Sequence, residues 1–276
     1  MIAAAQIGAR IQSFAFTCLK HRPLTPPHRA RTSAFPRSVH VHFCDKDWTR
    51  DEGNGIESLK FVRSTRFELK LSGPKSPIRR LRRLRRAELP IDTVKLARFL
   101  IGKVVVHQLK TGRLSGRIVE TEAYPIGDAA GHAFRGKTTR NGSLFLQRGH
   151  AYVYLSYGSS FLLNVSSESS GVGGGVLLRA IEPLEGIERM ARSRGKTRIA
   201  DIGSGPGRLT GAMKVDLQQD GLDLCAPGPL WLGATTQPTG AIGKSARIGL
   251  SRNVRRLLRF YERGNPHVSG PKRLRQ

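Results

Sequence analysis

The chain is short of acidic residues and of long apolar runs. Its 276 residues include 20 Asp and Glu against 47 Lys and Arg, so the formal net charge is +27 and the pI is near 11.3. Such an excess of positive charge favours a polyanionic partner, which leaves nucleic acid, an anionic membrane surface or an RNA assembly. No run approaches the roughly 18 consecutive apolar residues that a membrane-spanning helix needs.

Cysteine is also scarce. The three cysteines, Cys18, Cys44 and Cys225, are odd in number and form no Cys-x-x-Cys or Cys/His cluster. This pattern argues for a reducing compartment, and it argues against a disulfide framework or a zinc site.

The N-terminal third differs in composition from the rest. Residues 1–86 hold 19 Lys and Arg against 6 Asp and Glu, and the first 44 residues contain no acid. We predict a basic, low-order N-terminal extension. Three interpretations of its start stay open: an organellar leader, a DNA-binding arm, or sequence upstream of the true start codon. Residues 79–86 contain six arginines, which is typical of a solvated linker; a nucleic-acid patch or a nuclear localisation signal is the alternative.

The pattern of residues 87–276 predicts one folded domain. DTVKLARFLIG has helical spacing, with Asp92 or Thr93 as the N-cap and Gly102 as the stop. KVVVHQL and LSGRIVETEAY predict a hairpin, and HAYVYLSYGSSFLLNVSS predicts a second strand pair. GVLLRAIEPL predicts a further strand, whereas EGIERMARSR and RLTGAMKVD predict helices. Short turns and few helices favour an α+β domain with a curved antiparallel sheet.

Two glutamates in the segment RIVETEAY are notable in so basic a chain. Strand alternation predicts that Ile118, Glu120, Glu122 and Tyr124 share one face. Carboxylates two residues apart on a strand lie ~7 Å apart, which is within reach of glycoside hydrolysis. The positive charge and an aromatic content of 7% argue against a polysaccharide hydrolase. Taken alone, the pair is best interpreted as the surface of a half-exposed strand.

A glycine-rich run and a tyrosine cluster are the other candidates for chemistry. DIGSGPG, at 201–207, resembles the nucleotide loop of methyltransferases, but the residues before it are too charged for a buried strand. We therefore expect a tight loop whose amides approach a phosphate. Four of the five tyrosines lie between residues 124 and 157, and with His132 and Asn164 they could stack an unpaired nucleobase. Core packing is the alternative for each residue.

Eight motifs follow one another in a family-specific order between about residues 89 and 270. They are GRIVETEAY, GHAFRGKTTRN, AYVYLSYG, LLNVSS, VLLRAIEPLEG, GSGPGRL, ARIG and RFYERGNPHVS. With them the chain resembles the alkyladenine (3-methyladenine, methylpurine) DNA glycosylase family. The resemblance is specific because it rests on many motifs in one order, and it does not extend to residues 1–86.

The resemblance implies a role for each matched residue. Glu122 would activate water for attack on C1′ of the sugar, and Arg179 and the backbone carbonyl of Ile248 would hold that water. Four residues would bind the flipped base, with Asn164 discriminating against the guanine amino group and the others stacking: Tyr124, His132, Tyr154 and Asn164. Five residues would contact DNA, with Tyr157 inserted into the minor groove: Tyr157, Arg140, Gly205, Pro206 and Arg208. Arg208 stands where the family often has Lys, and Ser160 stands where some relatives have an aromatic residue.

The implied activity is excision of alkylated or deaminated purines from double-stranded DNA. The resemblance assigns the role of an amine nucleophile to no lysine or N-terminal proline in the matched motifs, so we expect a monofunctional enzyme that leaves an abasic site. The resemblance implies that the protein needs no metal or organic cofactor, does not bind a membrane and is a monomer. It also implies a location with genomic DNA, in a bacterial cytoplasm or a nucleus. A non-catalytic basic nucleic-acid-binding protein fits the net charge equally well and is the alternative.

Overall fold

A computed structural model describes residues 81–271, which form nine strands, three α-helices and four short 3-10 helices. The strands are β1 (Arg82–Arg83), β2 (Val104–Leu109), β3 (Gly112–Tyr124), β4 (Ala151–Ser156), β5 (Ser160–Ser166), β6 (Gly175–Glu185), β7 (Leu230–Ala234), β8 (Ile242–Ser245) and β9 (Arg259–Glu262). The helices are α1 (Thr93–Leu100), α2 (Ile187–Arg194) and α3 (Pro206–Met213), and the 3-10 turns are Arg86–Glu88, Gly142–Phe145, Ile199–Asp201 and Leu217–Gln219.

The nine described strands form one open sheet in the order β1-β7-β2-β3-β6-β5-β4. Strand β9 pairs with both β3 and β8, beside this path. All of the described strand pairs are antiparallel. The predicted α+β architecture with a many-stranded antiparallel sheet and few helices is therefore confirmed. No helix among residues 81–271 is long and apolar enough to cross a membrane.

Helix α1 begins and ends as its sequence predicts. The Asp92 carboxylate accepts a hydrogen bond from the amide of Lys95 at 2.6 Å, so Asp92 is the N-cap. The chain turns at Gly102, whose φ of 83° lies in the left-handed region that favours glycine. Leu96, Ala97 and Leu100 are fully buried, and this face packs in the main core against the sheet.

Strand β3 departs from simple alternation, and the prediction that Ile118 shares a face with the two glutamates is wrong. Ile118 belongs to the main core, whereas Val119 belongs to a small second cluster on the opposite face. The register against β6 shifts between Ile118 and Glu120 and again after Glu120. Such a bulge inserts an extra residue and reverses the facing of side chains along one strand. The interpretation of the glutamates as exposed is also wrong, since Glu120 and Glu122 are both fully buried.

Two parts of the described chain differ from the local patterns in the sequence. The segment before the glycine-rich run is the end of α2, a turn and a 3-10 helix, so it is no buried strand and the methyltransferase-like match has no structural support. Residues 81–86, from the end of the arginine run, belong to the described fold. Arg82 and Arg83 pair with β7, and Leu84 is buried. The boundary at residue 86 itself stays a prediction, and residues 1–80 lie outside the described range.

Candidate active site

A cavity of about 910 Å³ opens where strands β3 to β6 meet the loops around residues 125–135 and 248–252. It is large enough for a nucleotide-sized ligand. Of the residues that the sequence predicted as functional, nine outside the glycine-rich loop line it: Glu122, Tyr124, His132, Arg140, Tyr154, Tyr157, Asn164, Arg179 and Ile248. Pro206, from the glycine-rich loop, lines it as well, and also lines a shallower depression that includes Gly205 and Arg208. The fold therefore brings together residues from across the matched motifs.

Glu122 lies at the base of the cavity and is held by three donors. Its Oε1 accepts hydrogen bonds from the amide of Ile248 at 2.9 Å and faces the Arg179 guanidinium at 3.1 Å. Its Oε2 accepts the hydroxyl of Tyr124 at 2.9 Å. A carboxylate offers about four lone-pair positions, so this arrangement leaves one of them, on Oε2, without a protein donor.

Arg179 connects the two glutamates of β3. Its Nη1 contacts Glu122, whereas its Nε donates to Oε1 of Glu120 at 2.7 Å. Burial alone would lower the pKa of Arg179, but the charges of Glu122 and Glu120 outweigh it and raise the pKa above its ordinary value. Arg179 is thus a fixed positive charge beside Glu122. Glu120 does not line the cavity, so of the two glutamates only Glu122 can reach a bound molecule directly.

Aromatic rings form one wall of the cavity. Tyr152 and Tyr154 stack with centroids 5.3 Å apart, and the ring of His132 meets Tyr154 at 4.4 Å. Nδ1 of His132 lies 2.9 Å from the Tyr152 hydroxyl. Burial, and secondarily the nearby charge of Arg140, lowers the pKa of His132, so its ring is neutral at pH 7. Burial likewise raises the pKa of Tyr154 to about 12, so its ring stays uncharged.

Asn164 stands beside this wall on β5. Its side chain is 6% exposed, and its Nδ2 donates to the backbone carbonyl of Tyr152 at 3.2 Å. One amide hydrogen and the carbonyl oxygen of the side chain have no hydrogen-bond partner in that arrangement, so they can meet the edge of a flat ligand.

Tyr157 occupies the tip of the β4–β5 hairpin. Its side chain is 97% exposed and its φ of 47° is left-handed, an uncommon conformation for a bulky residue. The interpretation of Tyr157 as a core tyrosine is therefore wrong. Arg140 supports the hairpin from the side, since its Nη2 donates to the Leu155 carbonyl at 3.2 Å. A strained, exposed aromatic tip beside a cavity is suited to enter a groove of a partner.

The glycine-rich loop leads directly into helix α3. Gly205 has a φ of 135°, Pro206 is the first helical residue, and Arg208 donates to the Ser204 carbonyl at 3.3 Å. The hydroxyl of Ser204 is buried and has no hydrogen-bond partner among residues 81–271. The first amides of a helix lack an intrahelical partner, so the contact of this loop with a phosphate stays a prediction consistent with the position of the loop.

Sequence reasoning did not find Arg247, which supports the cavity from behind. Its guanidinium lies 4.6 Å from the centre of the Tyr124 ring, pairs with Asp128 and donates to the Ala123 carbonyl at 2.8 Å. Asp128 is fully buried in this pair and is also bound by Asn253. The ARIG motif contained the only signal for Arg247, because its partners lie some 120 residues away in the chain.

A tyrosine-walled cavity lined by a buried carboxylate and guanidinium, in a chain of charge +27, is typical of enzymes that act on nucleic acid bases. Comparisons with known proteins agree. The model of the methylpurine-DNA glycosylase family matches residues 87–266. The chain belongs to this family, and it is a monofunctional DNA glycosylase, as the sequence predicted.

Three curated relatives show how close the match is. A protein of Mesorhizobium japonicum named "Putative 3-methyladenine DNA glycosylase" is 62% identical over 69% of this chain and 92% of its own length. Proteins of the same name from Paraburkholderia phytofirmans and Chlorobaculum tepidum are 53% and 46% identical. They cover 69% and 65% of this chain and 90% and 87% of their own lengths. The matched region agrees with the residues from which the resemblance was drawn.

Proposed function

We propose that this protein flips alkylated or deaminated purines out of double-stranded DNA and hydrolyses their N-glycosidic bond with a water that Glu122 activates. The substrates are of the 3-methyladenine, 7-methylguanine, hypoxanthine and ethenoadenine type. The observation that carries the proposal is the position of Glu122 at the base of an aromatic cavity, directly beside Arg179. The protein acts as a monomer, with genomic DNA in a bacterial cytoplasm or a nucleus.

Hydrolysis needs a base for water and a negative charge near the sugar. In the proposed reaction Glu122 accepts the proton of water through Oε2, and the water attacks C1′ as the purine departs. Its carboxylate also stabilises the positive charge that develops on the sugar. Glu122 is fully buried but lines the cavity, and the water approaches the lone pair of Oε2 that the Tyr124 hydroxyl does not occupy. Arg179 and the carbonyl of Ile248 hold the water in place.

Lesion selectivity has two sources in this proposal. Alkylation at N3 or N7 makes the purine cationic, and a cationic base stacks well on the electron-rich rings of Tyr124 and Tyr154. Damaged bases also cost less to unstack, so flipping itself selects for them. Neutral lesions such as hypoxanthine require hydrogen bonds at the base edge. Asn164 excludes guanine there because its side chain clashes with the 2-amino group.

Binding to duplex DNA uses surfaces around the cavity. Tyr157 enters the minor groove and takes the place of the flipped nucleotide. The loop of Gly205, Pro206 and Arg208 contacts a phosphate next to it, and Arg140 adds a further positive charge. Most of the affinity comes from phosphate contacts and therefore falls with salt.

The test is excision from a duplex oligonucleotide with one hypoxanthine, followed by hot alkali. We expect cleavage at the lesion after alkali, none before alkali, and none in a matched undamaged duplex. Activity should persist in EDTA, and sodium borohydride should trap no covalent complex. A gel shift without alkali-labile sites would instead show a non-catalytic binding protein, and strand cleavage before alkali would show a bifunctional enzyme.

A further inference from the structure

Glu120 is a fully enclosed charged group behind the cavity. Its side chain is fully buried, and it does not line the cavity, so it cannot touch a bound base. Its Oε1 accepts hydrogen bonds from Nε of Arg179 and Nε of Arg259, both at 2.7 Å, and from the Ser269 hydroxyl at 2.9 Å. Its Oε2 accepts the amide of Ser269 at 2.6 Å. Three donors thus converge on Oε1 and one reaches Oε2, so the carboxylate is held from several directions at once.

The same contacts hold the Arg179 guanidinium at every edge. Nε is held by Glu120, Nη1 by Glu122 and Nη2 by the Ser269 hydroxyl at 3.4 Å. A planar guanidinium bound on three sides cannot rotate without breaking buried charge-assisted bonds. Arg179 therefore has one orientation, with Nη1 toward the carboxylate at the base of the cavity.

The C-terminal part of the described chain closes this network. Arg259, from β9, lies opposite Glu122 in the β3–β9 register and donates through Nη2 to the Ser269 carbonyl at 2.8 Å. Val268, the residue before Ser269, packs in the small cluster with Val119, Ala180 and Tyr261. The two glutamates, Arg179 and Arg259 together balance two negative with two positive charges. Such balance is needed because an unpaired buried charge is costly.

We infer that Glu120 is a positioning residue for base excision: with Ser269, it fixes Arg179 in the orientation that directs Nη1 at Glu122. The inference rests on the proposed role of Glu122 and deepens it. Glu120 acts through Arg179 and not on the substrate, so its loss should slow the chemical step and leave lesion binding unchanged. Misplacement of a catalytic group by about 1 Å can cost ~100-fold in rate.

The test is a double-mutant cycle measured by single-turnover excision of hypoxanthine, with gel-shift affinity and melting temperature in parallel. Glu120→Gln should lower the excision rate ~10- to 100-fold at unchanged lesion affinity. In an Arg179→Lys background the same substitution should have little further effect, because residues that act through one another are non-additive. The inference would be overturned if the rate losses of Glu120→Gln and Arg179→Lys simply multiplied in the double variant, or if folded Glu120→Gln kept the wild-type rate.

Glu262→Gln is the matched control. Glu262 is a buried glutamate of the same sheet that accepts hydrogen bonds from Arg117, the Gly240 amide and Asn265, and it does not line the cavity. The Glu262→Gln variant should have a lower melting temperature than the wild type but the same excision rate per folded molecule. An equal loss of rate in Glu262→Gln would show that Glu120 acts through general stability and would contradict the positioning role.

Ser269→Ala covers the case in which Glu120→Gln does not fold. It removes the hydroxyl that contacts both Glu120 and Arg179 but keeps the amide that binds Oε2. We expect the excision rate to fall about fivefold, the equivalent of one hydrogen bond, at unchanged affinity. A wild-type rate would contradict the inference. If wild-type protein itself fails to excise hypoxanthine, the proposed function fails first; if it excises and these variants match it, only the positioning role fails.

Discussion

Strand β3 contributes to two buried networks of arginine and glutamate, and only one of them faces the cavity. In the first, Arg117 is 2% exposed and binds Glu262 and Glu182. In the second, Arg179 binds Glu120 and Glu122. In each network an arginine lies between two carboxylates, which come from β6 and β9 around Arg117 and both from β3 around Arg179. Their compositions are nearly the same, so residue type alone does not separate a structural ion pair from a catalytic one.

The difference lies in what is left without a partner. Glu262 accepts from Arg117 and is also bound by the Gly240 amide and by Asn265, and it does not line the cavity that Glu122 lines. Glu122 lines the cavity with one lone pair of Oε2 without a donor. A saturated ion pair contributes to the fold, whereas a carboxylate with spare acceptor capacity beside a cavity can take a proton. The following predictions use this contrast, from the largest expected effect to the smallest.

Glu122→Gln should have the largest effect. The amide keeps the shape but removes the charge and the proton acceptor, so single-turnover excision of hypoxanthine should fall by at least ~10²–10⁴-fold. Lesion affinity in a gel shift should remain, because binding uses the tyrosines and the basic surface. Near-normal excision by this variant would mean that another group accepts the proton of water, and the two arginine–glutamate networks would then no longer differ in function.

Arg117→Met should instead damage the fold. The change leaves Glu262 buried without its main partner, which typically costs ~3–5 kcal/mol of the free energy of unfolding. Urea unfolding measures that loss, and excision per folded molecule should stay at the wild-type rate. A rate loss at unchanged stability would mean that the Arg117 network also serves the chemistry.

Tyr157→Ser tests the exposed hairpin tip at the open side of the cavity. The tyrosine touches little in the free protein, so the melting temperature should not fall. Loss of an aromatic wedge should weaken binding to a paired lesion ~10-fold, within the ~1–3 kcal/mol of one stacking contact. The effect should be smaller when the lesion lies in a mismatch that is already unstacked. Equal effects on paired and mismatched lesions would argue against insertion.

Asn164→Ser tests the edge of the base pocket. The shorter side chain removes the clash with the 2-amino group, so release of undamaged guanine should rise relative to hypoxanthine. The matched measurement is the ratio of the two excision rates in otherwise identical duplexes. An unchanged ratio would leave Asn164 with its structural hydrogen bond to the Tyr152 carbonyl alone.

Acid should destabilise the fold both at the Asp128–Arg247 pair behind the cavity and at the Arg117–Glu262 pair, because each depends on a carboxylate. Burial alone would raise the pKa of Asp128, but hydrogen bonds from Arg247, Asn253 and the Ala130 amide outweigh it, so the pKa is lowered. Burial alone would also raise the pKa of Glu262, but hydrogen bonds from Arg117, the Gly240 amide and Asn265, with the charge of Arg117, outweigh it and lower the pKa. A lowered folded-state pKa gives stability that is complete above the ordinary carboxyl range and is lost as pH falls through the folded value.

The measurement is the free energy of unfolding in urea from pH 7 to pH 3. Asp128→Asn and Glu262→Gln should each make the dependence on pH shallower over the acidic part of this range. A slope identical to that of the wild type in both variants would show that other carboxylates carry the acid sensitivity.

Local patterns were enough to predict much of the fold. Asp92 and Gly102 mark the ends of α1, and alternation locates β2, β4 and β5. The motif order was also enough to predict the family, and it supplied the set of residues that the fold gathers around the cavity. Strand β7 was not predicted, because five residues that pair with β1 and β2 carry little periodic signal of their own.

The sequence by itself determined which elements form and which family chemistry is present, because caps, turns and alternation act between near neighbours. Only the tertiary structure decided which buried glutamate reaches the cavity. The bulge in β3 reverses the facing of Ile118, and local alternation cannot show where a bulge falls. Glu120 is held by Arg259 and Ser269, which lie 139 and 149 residues away. Contacts at such separations depend on how the strands assemble, and no local periodicity encodes them.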